Sequence, residues 1–320
     1  MKAFLEETNV FLDSLTDYFH LVNTSRTALQ MLTDQVRRIV DAGADDAVVA
    51  ALFPLAEKTT GQNLRAYTLR DESAKDSHLA EMWLFTIFAR YEAWAGAVET
   101  EYGINNAARG CQFPGPSARG DFQSVFGNMR TSAELFAIFG ATRTNPGYIQ
   151  SDANVIEALH VYRYYKEVRN SLIHSGGDVH DRLIESAARA KDACDVLKEQ
   201  GELIGEITIL TPSGNRFDNL DFQFVRGAIW IIQRLAATID LKILLSTSGE
   251  QIFIDKWKSI HGHTPASPSL RQRSSRPWFM HWVSADLSVP LPPDSQGKHW
   301  PKAAREGFVT FGIDHGLIRR

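Results

Sequence analysis

Tyr164-Tyr-Lys-Glu-Val-Arg-Asn-Ser-Leu-Ile-His-Ser-Gly-Gly177 is the stretch from which the rest of the sequence is read. The segment from Asp152 to about His174 predicts a helix. Ser151 or Asp152 can cap its start, and Gly176-Gly177 can end it in a left-handed turn. At about 100° per residue, Ala158, Val161, Tyr162, Tyr165, Val168 and Leu172 fall on one broad apolar side. Arg163, Lys166, Asn170 and His174 fall on another. Arg169 lies inside the apolar arc, where a guanidinium needs a partner because an unpaired buried charge is costly. Arg169 and His174 are five residues apart, about 140° around an ideal helix. Their heads meet only if the long arginine bends over or the last turn departs from α geometry. The unpartnered carbonyls of a last turn are partially negative and favour a cationic imidazole, so a histidine there suits proton transfer. The plain alternative is a capping histidine beside a surface arginine.

Arg169-Asn-Ser-Leu-Ile-His174, on a helix closing in Ser-Gly-Gly, resembles the signature of HEPN domains (higher eukaryotes and prokaryotes nucleotide-binding). That signature is an arginine, a polar neighbour, and a histidine after four to six intervening residues; here four intervene and the neighbour is Asn170. The resemblance implies an all-helical, usually dimeric protein. It also implies a metal-independent endoribonuclease whose paired motifs line a cleft between protomers, of a type that often serves as a bacterial toxin or antiviral effector. Some relatives carry a tyrosine two residues after the histidine that a partner nucleotidyltransferase modifies; Gly176 stands there in this chain. The motif spans six residues, and a looser similarity of helix order covers residues 75–245.

At 320 residues the chain is long enough for one large or two small cores. Its 44% hydrophobic and 22% charged composition is that of a globular protein. No apolar run is long enough to span a bilayer, and Met1-Lys-Ala-Phe-Leu-Glu-Glu lacks a signal-peptide core. Cys111 and Cys194 make no disulfide framework, so a reducing cytoplasm is the expected setting. Net charge is −4, which excludes a generic polyanion binder. From Gln251 to Arg320, ten Lys/Arg stand against five Asp/Glu; that region is +5 and the first 250 residues are −9. A basic tail behind an acidic body fits nucleic-acid contact and fits a soluble appendage equally well.

The expected architecture is mainly α: a HEPN-like antiparallel helical bundle over residues 73–248, preceded by a helical region (1–72) and followed by a basic, irregular Pro/Trp-containing region packed on the bundle (249–320). Residues 1–72 read as three helices, the second starting at Thr24 or Ser25 and the third running from Asp46 to Lys58 with a kink or break at Pro54. Ser77 to Tyr102 reads as a helix apolar nearly all round, hence central. Glu81, Glu92 and Glu99 share one side of it, either as a solvated acidic stripe or with Glu92 holding Arg169. Tyr102 to Asp121 reads as a loop whose Arg109 and Arg119 could touch phosphates if it served as a lid. Helices are expected over Phe122–Phe139, Asp181–Lys198 and Leu220–Leu245, and the alternation in Glu206–Asp218 is compatible with a small β-hairpin. Past Ser246, seven prolines argue against long helices, while Trp278, Trp282 and Trp300 call for cover.

His261-Gly-His263, with His281 and His299 downstream, lacks a regular ligand spacing, so no metal or other cofactor is expected. The expected reaction is attack of an RNA 2′-hydroxyl on the adjacent phosphate, giving a 2′,3′-cyclic phosphate. His174 moves the proton, Arg169 neutralises phosphoryl charge and Asn170 orients either, with Glu92 as support and Arg163 and Lys166 tracking the RNA backbone. Implied partners are RNA, a second copy of the chain and a regulatory protein, with no membrane. Two other readings stand beside this one. In the first, a non-catalytic RNA- or nucleotide-binding module uses the same cleft. In the second, an interaction protein uses Arg169–Glu92 as a structural pair.

Overall fold

The computed structural model describes residues 4–54, 63–102, 118–126, 129–139, 149, 151–202, 207–210, 220–262, 279–280 and 302–319. These residues are mainly helical, and no strand forms among them.

Helix α1 (Glu6–Asp41) runs unbroken through the start expected at Thr24 or Ser25. The polar residues flanking that expected start bond within the helix: Asn23 donates to the Phe19 carbonyl (2.9 Å) and Thr27 to the Asn23 carbonyl (2.9 Å). Gly43, at φ 92°, ends it. Asp45 caps the short α2 (Asp46–Leu52), which stops before Pro54, and α3 (Leu64–Thr68) leads into α4 (Glu72–Tyr102). The α1 and α4 helices run antiparallel. Arg26 pairs with Asp76 at 2.6 Å, Phe19 meets Trp83, and Phe11 stacks on Trp94.

A single helix was expected over Phe122–Phe139. Instead there are two, α5 (Ala118–Val125) and α6 (Ala133–Phe139). The break has a local cause, Ser132 Oγ accepting from the Leu135 amide, and a distant one, the bridge from Thr131 to Ser246. Helices α7 (Asp152–Ser175) and α8 (Asp181–Glu199) form a tight antiparallel hairpin. His180 caps α8 through Nδ1, which accepts from the Leu183 amide at 3.1 Å. Helix α9 (Phe222–Leu244) is the most apolar and joins the others: Phe222 touches Trp83 of α4, and Phe224 packs on Tyr164 and Tyr165 of α7.

The β-hairpin expected over Glu206–Asp218 has no ladder among the described residues. Residues 207–210 are strapped to α7 instead, with Tyr164 Oη donating to the Leu210 carbonyl and accepting from its amide, and Tyr165 Oη donating to Thr208. The remainder of that hairpin lies outside the described residues. The region past Ser246 is also more regular than its prolines suggest. Ser246 caps α10 (Thr247–His261), and α11 (Lys302–Asp314) closes the described chain. Phe253, Phe279, Phe308 and Phe311 form a buried aromatic group there, continuous with the main core. Trp278, Trp282 and Trp300 lie outside the described residues.

Two buried charged clusters tie these helices together. Arg234 of α9 pairs with Glu202 at 2.6 Å and also donates to the Glu202 carbonyl, while Asn154 at the start of α7 reaches the same carboxylate. Asp240 of α9 accepts from the Phe4 and Leu5 amides (2.6 and 2.9 Å), so a carboxylate 235 residues away caps α1. Burial pushes the Asp240 carboxyl up to about 6, against the lowering effect of those hydrogen bonds and of nearby Lys256.

Candidate functional site

Helix α7 ends as its sequence demands. Gly176 (φ 59°) and Gly177 (φ 89°) take left-handed conformations that a side chain would resist. The Gly176 and Gly177 amides both turn back to the Ser171 carbonyl, and Ser171 Oγ donates to the Asp178 carbonyl at 2.7 Å. The last turn, which carries Arg169, Asn170 and His174, is therefore fixed at both ends.

Arg169 is half-buried, and its Nη1 donates to Asn170 Oδ1 at 3.1 Å. Its Nε is shielded from solvent and has no hydrogen-bond partner among the described residues. His174 is exposed. Among the described residues Arg169 forms no ion pair with Glu92 and no hydrogen bond with His174. The contact that orients the guanidinium is thus its own neighbour, a neutral amide.

Lys166 is buried one turn before Arg169. Burial lowers its ammonium to about 8; the half-exposed carboxylate of Glu92 opposes that lowering, and the charge of Arg169 adds to it. Glu92 is thus felt by Lys166, its approach set by Tyr91 of α4 packing on Tyr162 of α7 (5.2 Å). Arg163 pairs with Glu167 at 3.3 Å, both largely buried. Of the residues singled out from sequence, Arg163, Lys166, Arg169 and Asn170 therefore share one stretch of α7 with Glu92 beside it, and His174 stands at the open end.

His160 is a residue the sequence reading missed. It lies three residues before Arg163 and is half-buried, and burial lowers its pKa; its Nδ1 has no hydrogen-bond partner among the described residues. Arg163 and Arg189 of α8 add to the lowering and Glu157 opposes it. The signal was present in the spacing His160, Arg163, Glu167, Asn170, His174, which steps by three and four along one side of the helix.

Arg119 is exposed on α5, and Arg109 lies outside the described residues. His263, His281 and His299 also lie outside them, while His261 packs on Trp257 at 4.2 Å. Among the described residues no three His, Cys, Asp or Glu side chains are placed to hold a metal ion, and no helix is long and apolar enough to cross a membrane. Cys194 is a free, half-buried thiol that burial pushes up to about 11. No family model matches the chain, and no curated protein or solved structure matches it either.

Proposed function

We propose that the chain is a metal-independent endoribonuclease acting at the C-terminal end of α7, the reading implied by its resemblance to HEPN domains. The observation that carries this reading is the state of Arg169: a half-buried guanidinium held by Asn170 Oδ1 at 3.1 Å, with a shielded Nε and no carboxylate paired to it among the described residues. A cation so placed is pre-oriented for a phosphoryl oxygen. The RNA 2′-hydroxyl attacks the adjacent phosphorus and the P–O5′ bond breaks, leaving a 2′,3′-cyclic phosphate and a 5′-hydroxyl. His174, exposed at the helix end, takes the 2′ proton or delivers one to the leaving oxygen. Arg163 meets the RNA backbone. Lys166, being buried, acts through its charge rather than by tracking the strand. The working unit is a homodimer with the site at its cleft.

The test is cleavage of single-stranded RNA in EDTA by the full chain. Cyclic-phosphate ends, loss of cutting in Arg169→Ala and His174→Ala with unchanged helicity, and survival of DNA of the same sequence are expected. Cutting that persists in both variants would overturn the reading. A non-catalytic RNA-binding module is favoured by one observation, the missing hydrogen bond between Arg169 and His174. It predicts RNA binding that weakens in Arg169→Ala, with no cutting by any form.

A further inference from the structure

The charges around Lys166 are shared out unevenly. Two carboxylates, Glu92 of α4 and Glu167 of α7, and two arginines, Arg163 and Arg169, act on its ammonium. Lys166 itself makes a third cation, so two anions serve three cations and one positive charge is left over. Glu167 is taken by Arg163 at 3.3 Å, four residues along the same helix. That leaves Glu92 between Lys166 and Arg169. Lys166 is buried (7% exposed), whereas Arg169 is half-buried. A cation withdrawn from water needs a carboxylate more than one that water still reaches. Glu92 accordingly acts on Lys166 more strongly than any other charge does. Arg169 is left with the Asn170 amide oxygen at 3.1 Å and no carboxylate among the described residues. The seam between α4 and α7 is aromatic, with Phe88 and Tyr91 both against Tyr162 (5.4 and 5.2 Å), and it fixes how near the backbone of Glu92 stands to α7.

We infer that Lys166 is a positioning residue of the RNA site: it holds the Glu92 carboxylate and so keeps Arg169 without one, leaving the guanidinium open to phosphate. The inference rests on the RNase reading above and adds a means of regulating that site. The condition is the charge of Lys166. Burial lowers its ammonium to about 8, with Glu92 and Glu167 opposing and Arg169 and Arg163 adding to the lowering. Above that pH Lys166 is mostly neutral and no longer competes for Glu92. Arg169, one turn further along α7, is then the cation left to Glu92, because Arg163 already has Glu167. A carboxylate on the guanidinium cancels its charge and occupies the donors that a phosphoryl oxygen would use. The site therefore closes as pH rises through about 8, by the transfer of one anion between two neighbouring cations.

The experiment is the pH profile of single-stranded RNA cleavage in EDTA by the full chain and three variants. Wild type should lose most of its rate between about pH 7 and about pH 9. Lys166→Arg keeps its charge throughout and should hold its rate across that range. Lys166→Met, apolar and of similar length, should be slower by at least about tenfold already at neutral pH. Adding Glu92→Gln to Lys166→Met removes the carboxylate and should bring the rate back to within about threefold of wild type. A lysine that only supported the fold would not be rescued by a change at Glu92. A second readout needs no RNA: in the 15N-labelled chain the Arg169 Nε–H resonance should shift in Lys166→Met and return in the double variant. A resonance that stays in place, or a double variant as slow as Lys166→Met, would overturn the inference. A resonance that moves as expected in a protein whose wild type cuts no RNA would instead overturn the RNase reading alone.

Discussion

Two arginines in this chain show opposite ways of keeping a charge inside a fold. Arg234 has a side chain only 6% exposed, yet its guanidinium meets a carboxylate oxygen and a backbone carbonyl of Glu202 and lies over Trp230. Arg169 is more open and receives much less, a single neutral amide oxygen from Asn170. A cation given a carboxylate away from water is a structural tie. A cation given one neutral acceptor keeps its charge available to an incoming anion. The difference separates the residue that holds α8 and α9 together from the residue proposed to work.

The comparison breaks most visibly if the two arginines are truncated in turn. Arg234→Ala leaves the Glu202 carboxylate buried without its guanidinium, so unfolding in urea should show a loss of about 3–5 kcal/mol. Replacing both partners by leucine should recover most of that loss, because two apolar groups of similar shape need no partner. Arg169→Ala should change stability by less than about 1 kcal/mol. Its effect belongs in the RNA assay, as a fall of about 10²–10³-fold in the cleavage rate. Equal stability losses at the two positions would erase the distinction.

Asp240 sharpens the same contrast with a buried anion. Its folded pKa of about 6 lies above the ordinary 3.8, so the folded state binds more protons than the unfolded one between those values. The sign follows from linkage: this contribution to stability is fully present below about pH 4 and is lost as pH rises through about 6. The span is on the order of 3 kcal/mol, with the burial of the ionised carboxylate as its cause. Thermal melts of wild type and Asp240→Asn should therefore diverge in favour of wild type as pH falls from 8 to 4 (Asp46 and Asp71, exposed and held low by their hydrogen bonds, cancel in the difference). A difference that does not move with pH would remove Asp240 from the ledger of buried charges.

What the sequence disclosed, and what it hid, follows the same division between local and distant partners. The start and stop of α7 were legible because Ser151, Gly176 and Gly177 act on backbone groups within a few residues. The start expected at Thr24 or Ser25 lies inside α1, where the neighbouring polar side chains of Asn23 and Thr27 return to carbonyls of the preceding turn and leave the helix unbroken. The helix after Ser246 was obscured because the prolines that mark this region begin only at Pro265. Arg234–Glu202 and the Asp240 cap were out of reach, since their partners lie 32 and 235 residues away and neither end carries a local pattern. At the site, Glu92 could be read either as part of an acidic stripe or as the holder of Arg169. In the folded chain the arginine turns to Asn170, a choice decided by which way one long side chain bends.

The smallest of the expected effects asks whether the core beneath the site governs it. Gly227 of α9 lies against Tyr165, and a Cβ there would stand 2.2 Å from the Tyr165 hydroxyl. Gly227→Ala should cost about 1–3 kcal/mol by overpacking, less than the loss of Arg234. Tyr165 is one turn before Arg169 on the same side of α7, so the displacement should reach the guanidinium and slow cleavage by a few-fold. Removing the offending oxygen with Tyr165→Phe in the same chain should return most of the stability, at the expense of the hydrogen bond to Thr208. If stability returns and cleavage does not, the Tyr165 hydroxyl and the 207–210 strap orient the site. If both return together, packing alone does.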